Sequence, residues 1–547
     1  MSKPTAAPPL APSKAWWLLA AAALVALRIP HLLGPLDDPH SWRQCDTAYY
    51  SLEFFRRGID LLHPSVCWLG AHRTLIFEFA LPEALSALLY RAFGPDPLWD
   101  RLVNLGFFLL AAFYLFAFAR LVASRRVARL CSLAYLAFPL GQFYSRTAHV
   151  DFAATAFAHA LLFHAALAFR RRSAVHAAAA SGAGALAALI KAPYLIPVLG
   201  PLAVAALAVP GLATVGLGSL ALGVPAIAFS IWRRHVDAVN GAAPDWQFLP
   251  GYYKELNPWW WYVGSMAQRL EPGSWWKLAR RLVLEVATPL GSVLALAGLA
   301  WRQPRQDSSG APDPSRPGAL ACALAWMAAT AAYLLVFFPL NLIHNYYQIP
   351  FLGPAALLVG LGADLAWERL PAAGRLRAGA LAFAAFLVAA AWMVRPLGYY
   401  RVDWLRIEAG RQIAERVPHE DLVVACDFAS GYSDPRLLAR ADRLGWSVAI
   451  PDLTPARVQR LEALGARWVA VVTDPDHPRL SPPPFLGPRR IEHAALARGG
   501  RTLGALDLYR LEGPAAESGP GGPREGGPGA RRAGRDRTSS AAGSRSS

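Results

Sequence analysis

Two short polar stretches carry side chains able to do chemistry. The first is His40-Ser41-Trp42-Arg43-Gln44-Cys45-Asp46-Thr47-Ala48-Tyr49-Tyr50, directly after the first long apolar run. The second is Arg146 to Asp151, with His149 two residues before the acid, after a later apolar run. Ionisable groups beside apolar segments are costly to place, so each is a candidate functional site. Read as a helix over about 46–57, the first stretch brings Asp46, Tyr50, Glu53 and Arg57 to one face, with Arg43 a turn earlier. A carboxylate among aromatic rings and beside a guanidinium suits a general base, its pKa set by desolvation against ion pairing. A helix N-cap is the alternative for Asp46, and equally for Asp151. Asp151 has His149 and Arg146 for company at a helix mouth whose dipole favours an anion. Lys191 is a lone cation at the end of another apolar run, placed either to snorkel or to meet a phosphate. Asp37-Asp38-Pro39 has the composition of a turn.

The elements that must position these groups are membrane helices. Of 547 residues 55% are hydrophobic and 17% charged, and the apolar residues fall in blocks long enough to cross a bilayer. Candidate spans lie at about 15–33, 99–122, 127–145, 151–169, 174–192, 194–209, 213–232, 282–301, 318–339, 350–368 and 377–394, about eleven in all. The first is read as a retained helix and not a cleaved signal, because Arg28 interrupts it and more apolar segments follow. With residues 1–14 cytoplasmic, the inner connections hold Arg120, Arg125, Arg126 and Arg129, then Arg170, Arg171 and Arg172, then Arg302, Arg305 and Arg316, then Arg369, Arg375 and Arg377. That distribution obeys the positive-inside rule. It puts the loop 34–98, the 145–151 connection, 233–281, 340–349 and everything after 395 outside, so both acids share the extracytoplasmic face of a multi-pass inner or plasma membrane protein.

Residues 400–512 change character, with strands expected at 421–426, 446–450 and 467–472 and helices at 404–417, 433–444 and 454–464. They form a soluble extracytoplasmic α/β domain without a phosphate-binding Gly-rich loop. The tail 513–547, rich in Gly, Pro, Ser and Arg, is expected to be disordered. The net charge of +17 sits largely in inner loops and this tail, so membrane lipids explain it and nucleic acid is not implied. Cys45 and Cys67 share the first outer loop, where an oxidising compartment permits a bridge, whereas Cys131 and Cys322 are apolar fillers within spans. Trp246, Tyr252, Tyr253, Trp259, Trp260, Trp261, Tyr262, Trp275 and Trp276 form an aromatic belt at headgroup level, with ring faces that can also stack on a ligand.

Five segments occur in the order and spacing of a known group: Trp42 to Tyr49, Phe77-Glu78-Phe79-Ala80-Leu81-Pro82, Arg146 to Asp151, Leu189-Ile190-Lys191 and His344-Asn345-Tyr346-Tyr347. Over residues 15–399 the chain resembles the family 39-like membrane glycosyltransferases of the C-type fold, which include protein O-mannosyltransferases and aminoarabinose transferases. The resemblance implies transfer of a sugar, with inversion, from a polyprenyl-phosphate donor to a glycan, lipid or protein acceptor at the outer face. It makes Asp46 the base and Asp151 the second acid, with a divalent metal cation implied at one or both. Lys191 would face the lipid phosphate, and Arg43, Tyr50, Glu78, Arg146, His149, His344, Tyr346 and Tyr347 would contact phosphate or sugar. Two departures bear on specificity: Thr47 stands where relatives often carry a second acid, and Phe79 where the aminoarabinose transferases carry Lys. The readings from other classes are a secondary transporter, whose ionisable groups lie at midplane in broken helices, and a non-catalytic protein handling lipid-linked sugars.

Overall fold

The computed structural model describes residues 14–250, 259–302, 317–428 and 431–511. The segment 1–13, Tyr252, Tyr253, Arg305, Arg316 and the tail 513–547 lie outside the described residues. Seven described helices are long and apolar enough to cross a bilayer: Pro97–Val122, Asp151–Arg171, Ala174–Leu207, Leu212–Gly241, Ala319–Val336, Asn345–Arg369 and Ala372–Leu397. The pair Pro272–Ala287 and Pro289–Gly298 makes an eighth if its 91° bend is one broken span. The expected count of about eleven is therefore unconfirmed among the described residues, and the shorter or broken runs have local causes. Trp16–His31 is shorter than a full span. The run 127–145 breaks at Phe138, where Pro139 opens a new six-residue helix. The bend falls at Thr288, which has φ +67° and precedes Pro289.

Expected spans 174–192 and 194–209 form one helical stretch, interrupted by the 3-10 turn Ala192–Tyr194 around Pro193. Before that turn, Ser181 Oγ donates to Leu220 O and Gly184 lies against Pro225, so the chain runs parallel to Leu212–Gly241. After it, Tyr194 meets Tyr333 and Gly200 meets Ala325, so the chain runs antiparallel to Ala319–Val336. Lys191 accordingly sits at the end of one arm and the start of the next.

Caps fix the corners at the arginine-rich end. Ser124 accepts from Val127 N, and Ser173 accepts from His176 N. The windows of Asp151–Arg171 and Asn345–Arg369 are 83% buried and form the centre of the bundle, whereas that of Leu212–Gly241 is 17% buried. This last helix exposes Leu212, Val215, Ile227 and Ile231, as a helix solvated by lipid does.

The C-terminal domain is a five-stranded sheet in the order β2-β1-β3-β5-β4, with β1 Leu422–Asp427, β2 Gly445–Ala449 and β3 Ala466–Thr473 parallel. Helices Trp404–Arg416, Arg436–Ala441 and Pro455–Ala463 fall at the expected places. Two further strands, β4 Arg490–Arg498 and β5 Arg501–Arg510, form an antiparallel hairpin about Gly499-Gly500, both at positive φ. The segment 34–98 does not stand apart from this domain. Tyr49, Phe54, Val66, Trp68 and Leu75 share one hydrophobic core with Leu437, Trp446, Ile450 and Val469.

Candidate active site

Helix Ser41–Arg57 is unusual in burying polar residues: Ser41, Arg43, Gln44, Asp46, Thr47, Ser51 and Glu53 are all within the protein. Asp38 Oδ1 accepts from Ser41 N at its start, and Gly58, at φ +100°, ends it. Asp46 lies in the second turn, which removes the N-cap reading. One of its oxygens accepts from Trp68 Nε1 at 3.0 Å; the other, Oδ2, has no hydrogen-bond partner among the described residues. Burial pushes its carboxyl up to about 7, against the opposing pull of Arg43 and the Trp68 hydrogen bond and with a further push from Asp434 and Glu78.

Arg43 forms an ion pair with Glu78 and lies 4.9 Å from the Phe77 ring centroid. Burial opposes its charge, but Glu78 and Asp46 outweigh that and hold the guanidinium firmly protonated. Tyr50 donates to Leu75 O at 2.6 Å, anchoring the loop in place of reaching the site. Glu53 turns to Arg57, 3.0 Å away, and Arg73, 3.4 Å away, so the single polar face read from 46–57 splits between two networks.

Asp151 is the first residue of helix Asp151–Arg171 and does not cap it; Val150 is the N-cap. Its carboxylate is held by Lys191 Nζ at 2.8 Å, by the Tyr194 hydroxyl and by His149 Nδ1. Lys191 does not snorkel. Its ammonium lies 4.4 Å from the Tyr347 ring, 5.0 Å from Tyr346 and 5.2 Å from Tyr194, an aromatic cage closed on one side by Asp151. The Tyr346 ring packs at once on His149, 4.6 Å away, and His344, 5.1 Å away. Burial holds both imidazoles below their ordinary value, more strongly at His344.

Arg146, like Tyr50, is engaged elsewhere. It turns from Asp151 to Asp37 Oδ2 at 2.8 Å, sandwiched between the rings of Phe143 and Tyr400 at 4.7 Å each, and so braces the 31–37 segment. The Cys45–Cys67 bridge is also absent: all five cysteines are free and buried. Cys67 is instead fixed by its backbone, its carbonyl accepting from Gly445 N. Of the aromatic belt, Trp246 is buried against Trp446, while Trp260, Trp275 and Trp276 remain exposed.

Sequence reasoning missed Trp68, Tyr194, Asp37 as partner of Arg146, and Glu83. Glu83 is buried on helix Leu81–Phe93 with Oε2 unpartnered, its carboxyl pushed up to about 8 by burial. Only the turn-like Asp37-Asp38-Pro39 carried a signal in advance. For a divalent cation the donor set does not fit. Lys191, Tyr194 and His149 already occupy Asp151, and no group of three or more His, Cys, Asp or Glu residues among the described residues converges on an ion.

No family model and no curated protein matches the chain. Among solved structures it is similar to ArnT from Cupriavidus metallidurans bound to undecaprenyl phosphate, with TM-score 0.55 and 16% identity over 90% of this chain and 98% of that one. It is also similar to the arabinofuranosyltransferase AftD from Mycobacteria, with TM-score 0.56 and 17% identity over 91% of this chain and 40% of that one. A third is the Archaeoglobus fulgidus oligosaccharyltransferase in complex with zinc and sulfate, with TM-score 0.51 and 13% identity over 83% and 67%. At such identities the shared property is architecture: this chain has the C-type membrane glycosyltransferase fold.

Proposed function

We propose that this protein transfers a sugar from a polyprenyl-phosphate donor to an acceptor hydroxyl at the extracytoplasmic face of the inner or plasma membrane, with inversion. The observation that carries the reading is the contrast between two buried acids: Asp151 is held by Lys191 and Tyr194 at Oδ1 and faces His149 with Oδ2, whereas Asp46 accepts one hydrogen bond, from Trp68, and its Oδ2 has no partner among the described residues. Asp46 Oδ2 takes the acceptor's proton as the acceptor oxygen bonds to the anomeric carbon and the bond from that carbon to the phosphate oxygen breaks. The polyprenyl phosphate leaves with the bonding pair. Lys191 has ammonium hydrogens beyond the one that Asp151 accepts, and it stabilises the developing negative charge. Asp151 and His149 orient that ammonium, while Arg43–Glu78 sets the field around Asp46. No step passes through a metal.

The ArnT neighbour was solved with undecaprenyl phosphate, which supports a lipid-phosphate donor. Charge supports the face: Arg125, Arg126, Arg170 and Arg171 stand at the helix ends opposite Asp151 and Lys191. The acceptor, whether glycan, lipid or protein, is left to experiment. Mass spectrometry of envelope glycans and lipid-linked sugars in cells with the protein, without it, and with Asp46→Asn tests the reading. One sugar should leave its carrier only in the first, and unchanged lipid-linked pools in all three would overturn it.

A further inference from the structure

The soluble domain reaches the site through a small clamp. Gly445 N donates to Cys67 O at 2.9 Å, and Gly70 N donates to Gly445 O at 2.7 Å, so one residue of the domain grips both ends of the tetrapeptide 67–70. Trp68 sits between those grips and donates to Asp46. Its indole is 1% exposed and packs on Phe77 from the loop and, edge-on, on Tyr432 from the domain. Both clamp positions require glycine. A Cβ on Gly70, at φ +59°, would lie 2.3 Å from the Trp446 ring, and one on Gly445 would lie 1.7 Å from Val423 O. Arg56 adds a bidentate pair to Asp442 at 2.7 and 2.6 Å at the rim.

We infer that the C-terminal domain is a positioning element of the active site: through Gly445 and Trp446 it fixes the 67–70 loop, and through Trp68 it sets the orientation and ionisation of Asp46. The inference rests on Asp46 being the base. Trp68, Gly70 and Gly445 are positioning residues, since only Asp46 meets the acceptor. The indole N–H favours the ionised carboxylate, and its loss leaves Asp46 harder to deprotonate. The other groups facing Asp46 are Arg43 and Tyr50 on its own helix, Glu78 on the adjoining loop, Cys45 and Cys67, and Asp434 from the domain. Of these, only Trp68 is set by the clamp and hydrogen-bonded to the carboxylate at once.

The test uses full-length protein in membranes and dicyclohexylcarbodiimide, which modifies protonated carboxyls; labelling of Asp46 is followed by mass spectrometry against pH. Trp68→Phe keeps the ring and removes the donor, and Gly70→Ala displaces the loop from Trp446. Each should move the labelling midpoint upward by roughly one pH unit, a tenfold change in ionisation ratio. Each should also lower kcat for lipid-linked sugar consumption more than it raises KM. Arg56→Ala, which loosens only the rim, is the milder variant should Gly70→Ala fail to insert, and it should move the midpoint in the same direction by less. Wild-type midpoints in Trp68→Phe and in whichever clamp variant inserts, alongside an inactive Asp46→Asn, overturn the positioning role and leave the base intact. An active Asp46→Asn overturns the base itself.

Discussion

Asp46→Asn separates a catalytic carboxylate from a structural one because the two predict opposite changes in stability. The substitution keeps the shape and the oxygen that accepts from Trp68, and it removes only ionisation. For catalysis, a positioned base is worth roughly 10²–10⁴ in rate, so turnover should fall by that factor. The pH dependence should change as well. With the carboxyl near 7, the parent is about one-tenth ionised at pH 6 and climbs to a plateau above pH 8, whereas any residual activity of the variant lacks that limb. For stability, a folded value of about 7 against an ordinary 3.8 means that the fold favours the protonated form. That contribution is complete below about pH 3.8 and is lost as pH rises through 7. The difference corresponds to at most about 4 kcal/mol at alkaline pH. Asn never ionises, so above pH 7 the variant should unfold at a higher temperature than the parent, and the gap should narrow towards pH 5, where about 1.6 kcal/mol of it is left, closing only below about pH 3.8. The assay pairs consumption of lipid-linked sugars from membrane extracts with thermal unfolding in detergent across pH 5–9. Near-normal transfer would refute the argument and move attention to Glu83 and Asp37, buried carboxyls outside the spans that also have an unpartnered oxygen among the described residues. A variant less stable than the parent at every pH would show that the ionised carboxylate holds the fold together.

Lys191→Ala should differ in kind: it raises donor KM as well as lowering kcat, and it costs roughly 3–5 kcal/mol of stability because Asp151 is left buried without its cation. The double variant Lys191→Met with Asp151→Asn should recover thermal stability but not activity; an unchanged donor KM in Lys191→Ala would break the phosphate assignment. Reporter fusions after residues 123 and 405 should report opposite sides of the membrane, and a shared side would detach both acids from the outer face. All five cysteines should resist maleimide labelling until the protein is denatured and should then label without reductant; a recovered Cys45–Cys67 disulfide would contradict the packing of the segment 34–98.

The chemistry-bearing segments were legible because each concentrates polar residues beside apolar runs, and the α/β domain was legible in its three parallel strands, whose continuous apolar stretches are what two-sided burial requires. The hairpin 490–510 was missed because its outer strand carries Arg490, Glu492, His493 and Arg498, the charged composition of an exposed edge. The Gly499-Gly500 turn was the signal available. Partner choice was not legible at all. Nothing in the spacing tells that Arg146 turns to Asp37, which lies over a hundred residues earlier, or that Lys191 meets Asp151. Helix count is subject to the same locality: apolar windows do not show that Pro139 breaks a run or that a 3-10 turn stands at Pro193.

The same long-range pairing bears on the transporter reading. Alternating access needs a site between bodies that move past one another, ordinarily at the membrane midplane. Here Lys191 lies at a turn between two helical arms, and Asp151 opens its helix, so both sit at helix ends. Asp46 is on helix Ser41–Arg57, which is tied to the bundle through Ser51, donating to Asp100 of helix Pro97–Val122 at 2.6 Å, and to the C-terminal domain through Trp68 and Gly445. A carboxylate fixed from both sides suits a reaction in which the geometry of one proton transfer must be kept within a fraction of an ångström. In a rocking carrier those ties would have to break and reform in each cycle, exposing Trp68 and the core it shares with the domain. Hydrogen exchange at residues 66–70 measures that opening directly. A transferase should protect these amides to the level of β1, and a carrier should release them at the rate of its cycle.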